Sequence, residues 1–265
     1  MLNQNLKISL RAKWCNLNFV WLWNTRHARN LYKNQPHALS AGTPNQIKEL
    51  HETGITIMEP DNPEQLVILQ DYMLSIQKRF LNNFKPFLIE YWPTGGVVDF
   101  SNPFLMDEAL NPAVLNLVSG YLGCWPRLLD YRLWETKIMH GEAPVFSQMW
   151  HRDPEDKKLL NMFIYLNDVE EDGAGPFQYI PESHINGKYW NVCKQKLPPV
   201  ASYPLKKDFD SLRDKIKTCY GKAGTVIFAD TAGLHRGGYS TTKPRFMFKA
   251  IYVSDGNFHG YKTRY

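Results

Sequence analysis

The stretch MWHRDPEDKKLLNMFIYLND, residues 149–168, decides the fold. Its second half, Leu159–Leu166, is a nearly continuous apolar run of strand length, and the turn cluster NDVEEDGAGP follows it. Its first half places an imidazole and a carboxylate two residues apart, at His151 and Asp153. Side chains two apart share one face of a strand. The stretch therefore predicts a buried strand preceded by two polar groups on one face, with Arg152 directed away from them.

Segments with a period of two recur through the C-terminal half of the chain. Further candidate strands are Tyr131–Met139, Val145–Trp150, Phe177–Ile180, Thr225–Ala229 and Arg245–Val253. Turns rich in Gly and Pro separate them, and most of the gaps carry no helical pattern, which is typical of a sandwich or jelly roll. We expect a mainly β fold with flanking helices.

The N-terminal third has a helical pattern instead. Thr43–Leu50 resembles a capped helix start, GITIM at 54–58 predicts a short strand, and residues 63–80 carry apolar side chains at helical spacing. No acidic residue precedes Glu49. A segment of this kind can be a targeting peptide, a membrane-surface helix or a nucleic-acid arm. The commoner structure is a solvated basic helix that packs its Trp and Leu side chains on the body, and we expect it here.

Domain organisation follows from these shifts in pattern. We expect a basic helical region at 1–53, packed on a β domain at 54–265, with an insertion at 185–222. By count, the insertion contains nine Lys and Arg residues against three Asp. Insertions of this length are usually lids or binding loops, and the basic one here favours an anionic small molecule as a partner.

Composition excludes several classes of protein. The four cysteines lack C-x-x-C spacing, which argues against a zinc knuckle or a redox pair and favours free thiols in a reducing, cytoplasmic compartment. No apolar run is long enough for a transmembrane segment. The net charge of +5 comes without a nucleic-acid motif, so we expect no nucleic-acid partner.

A third polar group completes a candidate metal site. His235, in ADTAGLHRGG, follows the apolar strand GTVIFAD. Two imidazoles and one carboxylate form the facial triad of non-haem Fe(II) oxygenases and leave adjacent positions open for a cosubstrate and O2. The same residues are also compatible with zinc. Arg245, ten residues after His235, opens a strand, and its planar guanidinium is suited to hold a carboxylate in two places.

These motifs in this order resemble the phytanoyl-CoA dioxygenase-like family of Fe(II)- and 2-oxoglutarate-dependent oxygenases. The motifs are WHRD with His151 and Asp153, GAGPFQYIPESH at 173–184, and LHRGG with His235, followed by Arg245. The resemblance implies a double-stranded β-helix (jelly-roll, cupin-like) core with iron on the first three of these residues. It also implies 2-oxoglutarate on Arg245 and hydroxylation of a small metabolite with release of succinate and CO2.

Further residues take their expected roles from the same resemblance. Lys137 is similar to a family lysine that touches the cosubstrate, and a solvated lysine is its alternative. Gly237 stands where members often carry a Ser or Thr, so Thr241, Thr242 or a tyrosine is expected to supply the hydroxyl. The histidine of the PESH motif is expected to be structural. A metal-dependent hydrolase and a non-catalytic ligand-binding jelly roll stay open as alternatives.

Overall fold

The structure, a computed structural model, describes residues 10, 13–15, 17–34, 43–77, 82–85, 87–91, 103–195 and 201–257. Its helices are α1 (Asn18–Asn34), α2 (Thr43–Thr53), α3 (Pro63–Gln77), α4 (Pro103–Ala109), α5 (Pro112–Leu122) and α6 (Lys206–Asp210). Its strands are β1 (Ile55–Met58), β2 (Asn82–Lys85), β3 (Leu88–Tyr91), β4 (Arg127–Thr136), β5 (Leu159–Tyr165), β6 (Phe177–Tyr179), β7 (Lys217–Cys219), β8 (Val226–Ala229), β9 (His235–Arg236) and β10 (Arg245–Val253). Short 3-10 helices cover Phe146–Gln148, Trp190–Val192 and Arg213–Lys215.

Two antiparallel sheets form the core. The larger has the order β1-β8-β5-β10-β4-β3-β2, and the smaller has the order β7-β6-β9. The central strand β10 pairs on one side with β5 and on the other with β4. The sheets pack face to face, with the rings of Phe163 and Phe177 4.8 Å apart. The predicted fold class, a double-stranded β-helix with flanking helices, is confirmed.

Alternate side chains of a strand point to opposite faces, so the two faces of the larger sheet pack against different neighbours. In β5, Met162 and Ile164 belong to a buried cluster with the helices, including Leu117 and Tyr121 of α5. Phe163 and Tyr165 belong to a second cluster with the smaller sheet. The helices therefore close the outer face, and the space between the sheets is left for the site.

One predicted strand is wrong. Val145–Trp150 contains the 3-10 turn Phe146–Gln148 instead, with Phe146 at φ 49°. The Gln148 side chain accepts a hydrogen bond from the backbone N–H of Val145, which closes the turn. The segment VFSQMW therefore forms a turn and not a pleated strand.

Other boundaries also differ from the sequence prediction. The strand predicted at Tyr131–Met139 begins earlier, at Arg127, and ends at Thr136. Strand β7 lies inside the predicted insertion and pairs with β6. The proposal of an insertion therefore applies to the part of 185–222 that precedes β7. Within the part of the chain that the structure describes, no helix is long and apolar enough to cross a membrane.

The N-terminal helix differs from the expectation that its Trp and Leu residues pack on the body. The buried side chains of α1 are Val20, Thr25 and Ala28. The indole N–H of Trp21 donates to Asp156 over 3.1 Å, while Leu22 and Trp23 are exposed. Of the large apolar side chains of α1, Trp21 packs on the body, whereas Phe19, Leu22, Trp23 and Leu31 are exposed.

Candidate metal centre and cavity

Backbone pairing brings the candidate ligands together. The backbone N–H of His151 donates to the carbonyl of His235 over 2.9 Å, and the N–H of His235 donates back over 3.0 Å. The backbone N–H of Asp153 donates to the carbonyl of Thr231, which precedes β9. A single antiparallel bridge therefore holds His151 against His235 of β9, an edge strand of the smaller sheet.

The ligand atoms of the three residues face one point. The Nε2 atom of His151 lies 3.5 Å from Oδ1 of Asp153, and Nε2 of His235 lies 3.7 Å from Oδ2. All three candidate ligand atoms lie within 4.8 Å of one another. His151 and His235 are buried, with 6% and 4% of their surface exposed. The triad predicted from the sequence thus has the geometry of a group that could hold a metal ion.

Both imidazoles are oriented by backbone carbonyls. Nδ1 of His151 lies 2.8 Å from the carbonyl oxygen of Met149, and Nδ1 of His235 lies 3.0 Å from that of Gly233. A carbonyl only accepts hydrogen bonds, so these contacts assign the proton to Nδ1. The lone pair on each Nε2 is then directed at the shared point, as in metal-binding histidines.

Electrostatics favour the charge states that a metal needs. Burial, followed by the neighbouring His151, lowers the pKa of His235 to about 3, so this ring is neutral at physiological pH. Burial alone would raise the pKa of Asp153, but His235 foremost, and also Lys249, hold it below its ordinary value. The amide of Asn161 on β5 donates to Oδ2 of Asp153 over 3.3 Å and orients the carboxylate. The His235 ring is therefore neutral and the Asp153 carboxylate anionic, which are the states in which these two groups bind a metal.

A cavity of about 350 Å³ opens beside the triad, between the sheets. Arg245 lines it and is 2% exposed. Its guanidinium donates to the carbonyl of Gly175 and, over 3.2 Å, to the hydroxyl of Thr136. Gly175 has φ +68°, a backbone conformation that favours glycine, and it presents its carbonyl to the arginine. Burial lowers the pKa of Arg245, yet an arginine stays charged at any physiological pH.

The remaining cosubstrate residues proposed from the sequence lie in different places. Lys137 directly follows β4 and donates its backbone N–H to Phe87, and it is absent from the described residues that line the cavity. Its contact with a cosubstrate stays a prediction. Thr242 donates to Glu171 at the surface. Among the described threonines, Thr136 is the one that lines the cavity, and it does so beside Arg245.

Several lining residues were missed or expected elsewhere. Lys249, 8% exposed, lines the cavity from β10, and its ammonium lies 4.8 Å from the ring centre of Trp134. Glu155 lines it as well, and burial, then Asp153, raise the pKa of Glu155 to about 8. A lysine inside the apolar run RFMFKAIYV is the sequence signal that could have identified Lys249. Trp134, expected more often in the core, also lines the cavity.

Arg152 is directed away from the triad, as the period of two predicts, but it does not reach solvent. Its side chain is fully buried and donates to the carbonyls of Cys193, Ser183, Ala232 and Trp190. These four carbonyls belong to residues that lie 31 to 80 positions from Arg152 in the sequence. Arg152 is buried because loops fold over the outer side of the strand end and present their carbonyls to it.

Two other polar residues lie outside the triad. His184 is buried, and its Nε2 atom lies 3.1 Å from the backbone carbonyl of His51. This contact is consistent with the structural role expected for it. Arg236 is half-buried, donates to Gln178 and lies over the ring of Trp150, so its guanidinium is engaged with the smaller sheet and its neighbours.

Comparison with known proteins finds solved structures that share the fold of this chain. No family model and no curated protein matches the sequence. The fold matches EctD from S. alaskensis with 2-oxoglutarate and 5-hydroxyectoine, at TM-score 0.61 and 19% identity over 83% of this chain and 81% of that one. The chain has the fold of that protein.

Other solved structures agree with that match. One is the epimerase SnoN in complex with Fe3+, alpha ketoglutarate and nogalamycin RO, at TM-score 0.59 and 16% identity, with 81% of this chain and 84% of that one covered. Another is HygX from Streptomyces hygroscopicus with nickel, 2-oxoglutarate and hygromycin B, at TM-score 0.57 and 14% identity, covering 79% and 86%. The resemblance inferred from the sequence is therefore supported at the level of the fold.

Proposed function

We propose that the chain is an Fe(II)- and 2-oxoglutarate-dependent dioxygenase that hydroxylates a C–H bond of a small metabolite bearing an anionic group. The observation that carries the proposal is the convergence of His151, Asp153 and His235 beside a cavity that also contains the buried Arg245. A metal centre alone has many uses. A metal centre and a buried guanidinium in one cavity suit a chelating keto acid with a distal carboxylate.

The donor set fits Fe(II). Two imidazoles and one carboxylate, with their ligand atoms within 4.8 Å of one another, leave half of an octahedral coordination sphere open. His151 and His235 would bind through Nε2 because their Nδ1 atoms are engaged with carbonyls. A carboxylate at Asp153 also favours hydroxylation over halogenation, since a halogenating site needs a small residue at this position.

The surroundings of Arg245 fit the distal carboxylate of 2-oxoglutarate. The Nε atom of Arg245 is buried and has no hydrogen-bond partner among the described residues. A Cβ atom on Gly237 would lie 3.4 Å from the guanidinium, so glycine leaves that approach open. The Thr136 hydroxyl, already beside Arg245, would supply the hydroxyl that Gly237 lacks.

When bound together, Fe(II) and 2-oxoglutarate supply activation of O2 coupled to oxidative decarboxylation of the keto acid. The task of this chain is to hold both and to exclude water. Phe163, Phe177 and Met247 give the cavity an apolar wall beside the triad. Asn161 fixes the Asp153 carboxylate, and the carbonyl contacts fix the two imidazoles.

The substrate proposal rests on the cavity and not on the basic insertion. Of the described residues of the insertion, Ala201 and Tyr203 line the cavity, and neither is a cation. Besides Arg245, the lysine and arginine side chains that line the cavity among the described residues also come from strands: Lys249, and Arg132, which forms an ion pair with Asp130. A cavity of about 350 Å³ must also accept 2-oxoglutarate, which limits the substrate to a small molecule. Lys249 is the group that would meet its anionic part.

The two alternatives give Arg245 no role. A metal-dependent hydrolase needs a general base beside the metal, for which Glu155 is placed suitably, but it needs no buried guanidinium. A ligand-binding jelly roll needs no ordered triad. Burying a cation is costly unless it has a partner, so a guanidinium inside the cavity favours an anionic ligand there.

The test is turnover of 2-oxoglutarate. Purified protein with Fe(II), ascorbate and O2 is expected to release succinate from 2-oxoglutarate, slowly alone and faster with a substrate found by screening small anionic metabolites. Asp153→Ala should abolish the release, and Arg127→Met, a change at the far end of β4, should leave it intact. Release that persists in Asp153→Ala, or that occurs without Fe(II), would contradict the proposal.

A further inference from the structure

Helix α1 is fixed to the body through one side only. Val20, Thr25 and Ala28 are buried there, and Trp21 donates to Asp156. A Cβ atom on Gly256 would lie 2.4 Å from the Trp21 ring, so the indole packs directly on this glycine. The side of α1 that buries apolar groups is therefore already occupied by the body.

The opposite side of α1 exposes large apolar side chains. Phe19 and Trp23, one helical turn apart, are each 64% exposed, and Leu22 between them is 45% exposed. Trp14 is 59% exposed and its ring meets Phe19 edge-on at 6.1 Å. Contiguous exposed rings of this kind mark an interaction site, because burying them elsewhere is strongly favourable.

Basic side chains lie on the same side of α1 as the exposed rings. Arg26 lies one turn after Leu22 and Trp23, and its guanidinium lies 3.9 Å from the centre of the Trp23 ring. Lys33, two turns after Arg26, is exposed as well. We call this surface the N-terminal patch; it consists of Trp14, Phe19, Leu22, Trp23, Arg26 and Lys33. The first 48 residues of the chain contain seven Lys and Arg and no acidic residue, so the segment that carries the patch has only positive formal charge.

A basic cleft adjoins the patch. A space of about 430 Å³ lies between α1 and the body, and Leu22 borders both features. The charged side chains among the described residues that line it are Arg29, Lys157 and Lys158. Positive charge therefore extends from the helix onto the body on the side of Leu22.

We propose that the N-terminal patch binds anionic membrane surfaces, with α1 lying in the plane of the lipid headgroups. Trp and Phe rings partition to the headgroup level, and Arg and Lys bind the phosphates and anionic lipids around them. The rings on the exposed side of α1 form a convex row, which suits a soft surface and does not enclose a peptide. The mode is surface binding, because α1 has only 17 residues with polar groups among them. This proposal does not depend on the proposed oxygenase activity.

The test is co-sedimentation of the full-length protein with sucrose-loaded vesicles. One set contains phosphatidylcholine only, and the other contains about a third phosphatidylserine. Wild type is expected to sediment with the anionic set, and less so as salt increases. Arg26→Gln with Lys33→Gln should weaken binding about 30-fold, from about fivefold for each basic side chain. Phe19→Ser with Trp23→Ser should weaken it at least about tenfold.

A matched control is available on α3. Val67 and Leu74 are 52% and 62% exposed, and α3 carries acidic residues beside them. Val67→Ser with Leu74→Ser should bind vesicles as wild type does, and circular dichroism checks that every variant is folded. Failure of wild type to sediment, or equal binding by the Phe19/Trp23 variant, overturns the proposal.

Other occupants of the patch give different results. Analytical ultracentrifugation that finds a dimer dissociating in the Phe19/Trp23 variant, without vesicle binding, assigns the patch to a second copy and overturns the proposal. Binding of a single-stranded oligonucleotide that this variant loses, again without vesicle binding, also overturns it. A monomer that sediments with anionic vesicles, and not with neutral ones, supports it.

Discussion

Replacing Arg245 by Met should separate cosubstrate binding from metal binding. The guanidinium is fully enclosed beside Thr136 and has room toward Gly237 for a second partner. A charge-assisted hydrogen bond contributes about 1.5–3 kcal/mol, and a forked contact offers two. Loss of the fork should therefore cost about 3 kcal/mol, which is about 150-fold in the dissociation constant of 2-oxoglutarate. Fe(II) affinity should change little, because Arg245 is not a candidate ligand.

The assay is anaerobic calorimetric titration of 2-oxoglutarate into Fe(II)-loaded protein. Arg245→Lys keeps the charge but loses the fork, so its affinity should lie between those of wild type and Arg245→Met. Thermal unfolding must be recorded too, because removing the guanidinium leaves the carbonyl of Gly175 without this donor, at a cost of about 1–3 kcal/mol. Arg127→Met, at an exposed ion pair with Asp255, is the control. Equal affinity in folded Arg245→Met and wild type would refute the reasoning.

Three further predictions concern groups around the site. Burial raises the pKa of Asp230 to about 6 from 3.8, so its protonated form stabilises the fold below about pH 4 and that contribution is lost as the pH rises through 6. Asp230→Asn has no such loss. Its free energy of unfolding in urea, taken relative to that of wild type, should therefore rise by about 3 kcal/mol between pH 4 and pH 7. A difference that stays constant over this range would contradict the prediction. Arg152→Met should lower the free energy of unfolding by about 3–5 kcal/mol, and the half-buried Arg236→Met by about 1 kcal/mol. Similar losses in the two variants would show that the contacts of Arg152 with the loop carbonyls do not stabilise the fold. Asn161→Leu should weaken Fe(II) binding about 10- to 100-fold in a competition titration, and unchanged affinity would show that the amide does not orient Asp153.

The sequence predicted the long strands well and the short connections poorly. The segments that form β5 and β10 are seven and nine residues long and nearly continuously apolar. A buried strand is the structure that such a segment usually adopts. Val145–Trp150 is shorter and has two polar residues at its centre, and a side-chain hydrogen bond within the segment closes a turn there. Strand β9 has two residues and carries no period at all.

The same contrast holds at the site. The order of His151, Asp153, His235 and Arg245 along the chain could be read from motifs, and the structure brings the four side chains into one cavity. The neighbours of Arg152 could not be predicted, because its partners are backbone carbonyls of distant loops, and a carbonyl leaves no mark on the sequence. Lys249 stands out as a lysine within an apolar run, but the pattern of a buried strand does not say which of its faces borders a cavity.

The central claim is that this cavity holds Fe(II) and 2-oxoglutarate together. The most direct test is anaerobic titration of the apoprotein with Fe(II) and then with 2-oxoglutarate, while the visible spectrum is recorded for the weak charge-transfer band of a keto acid chelated to iron. The band should appear in wild type, be absent in His151→Ala, and need far more 2-oxoglutarate in Arg245→Met. Iron binding without the band, or no iron binding at all, would contradict the claim and leave the fold as the only likeness to these oxygenases.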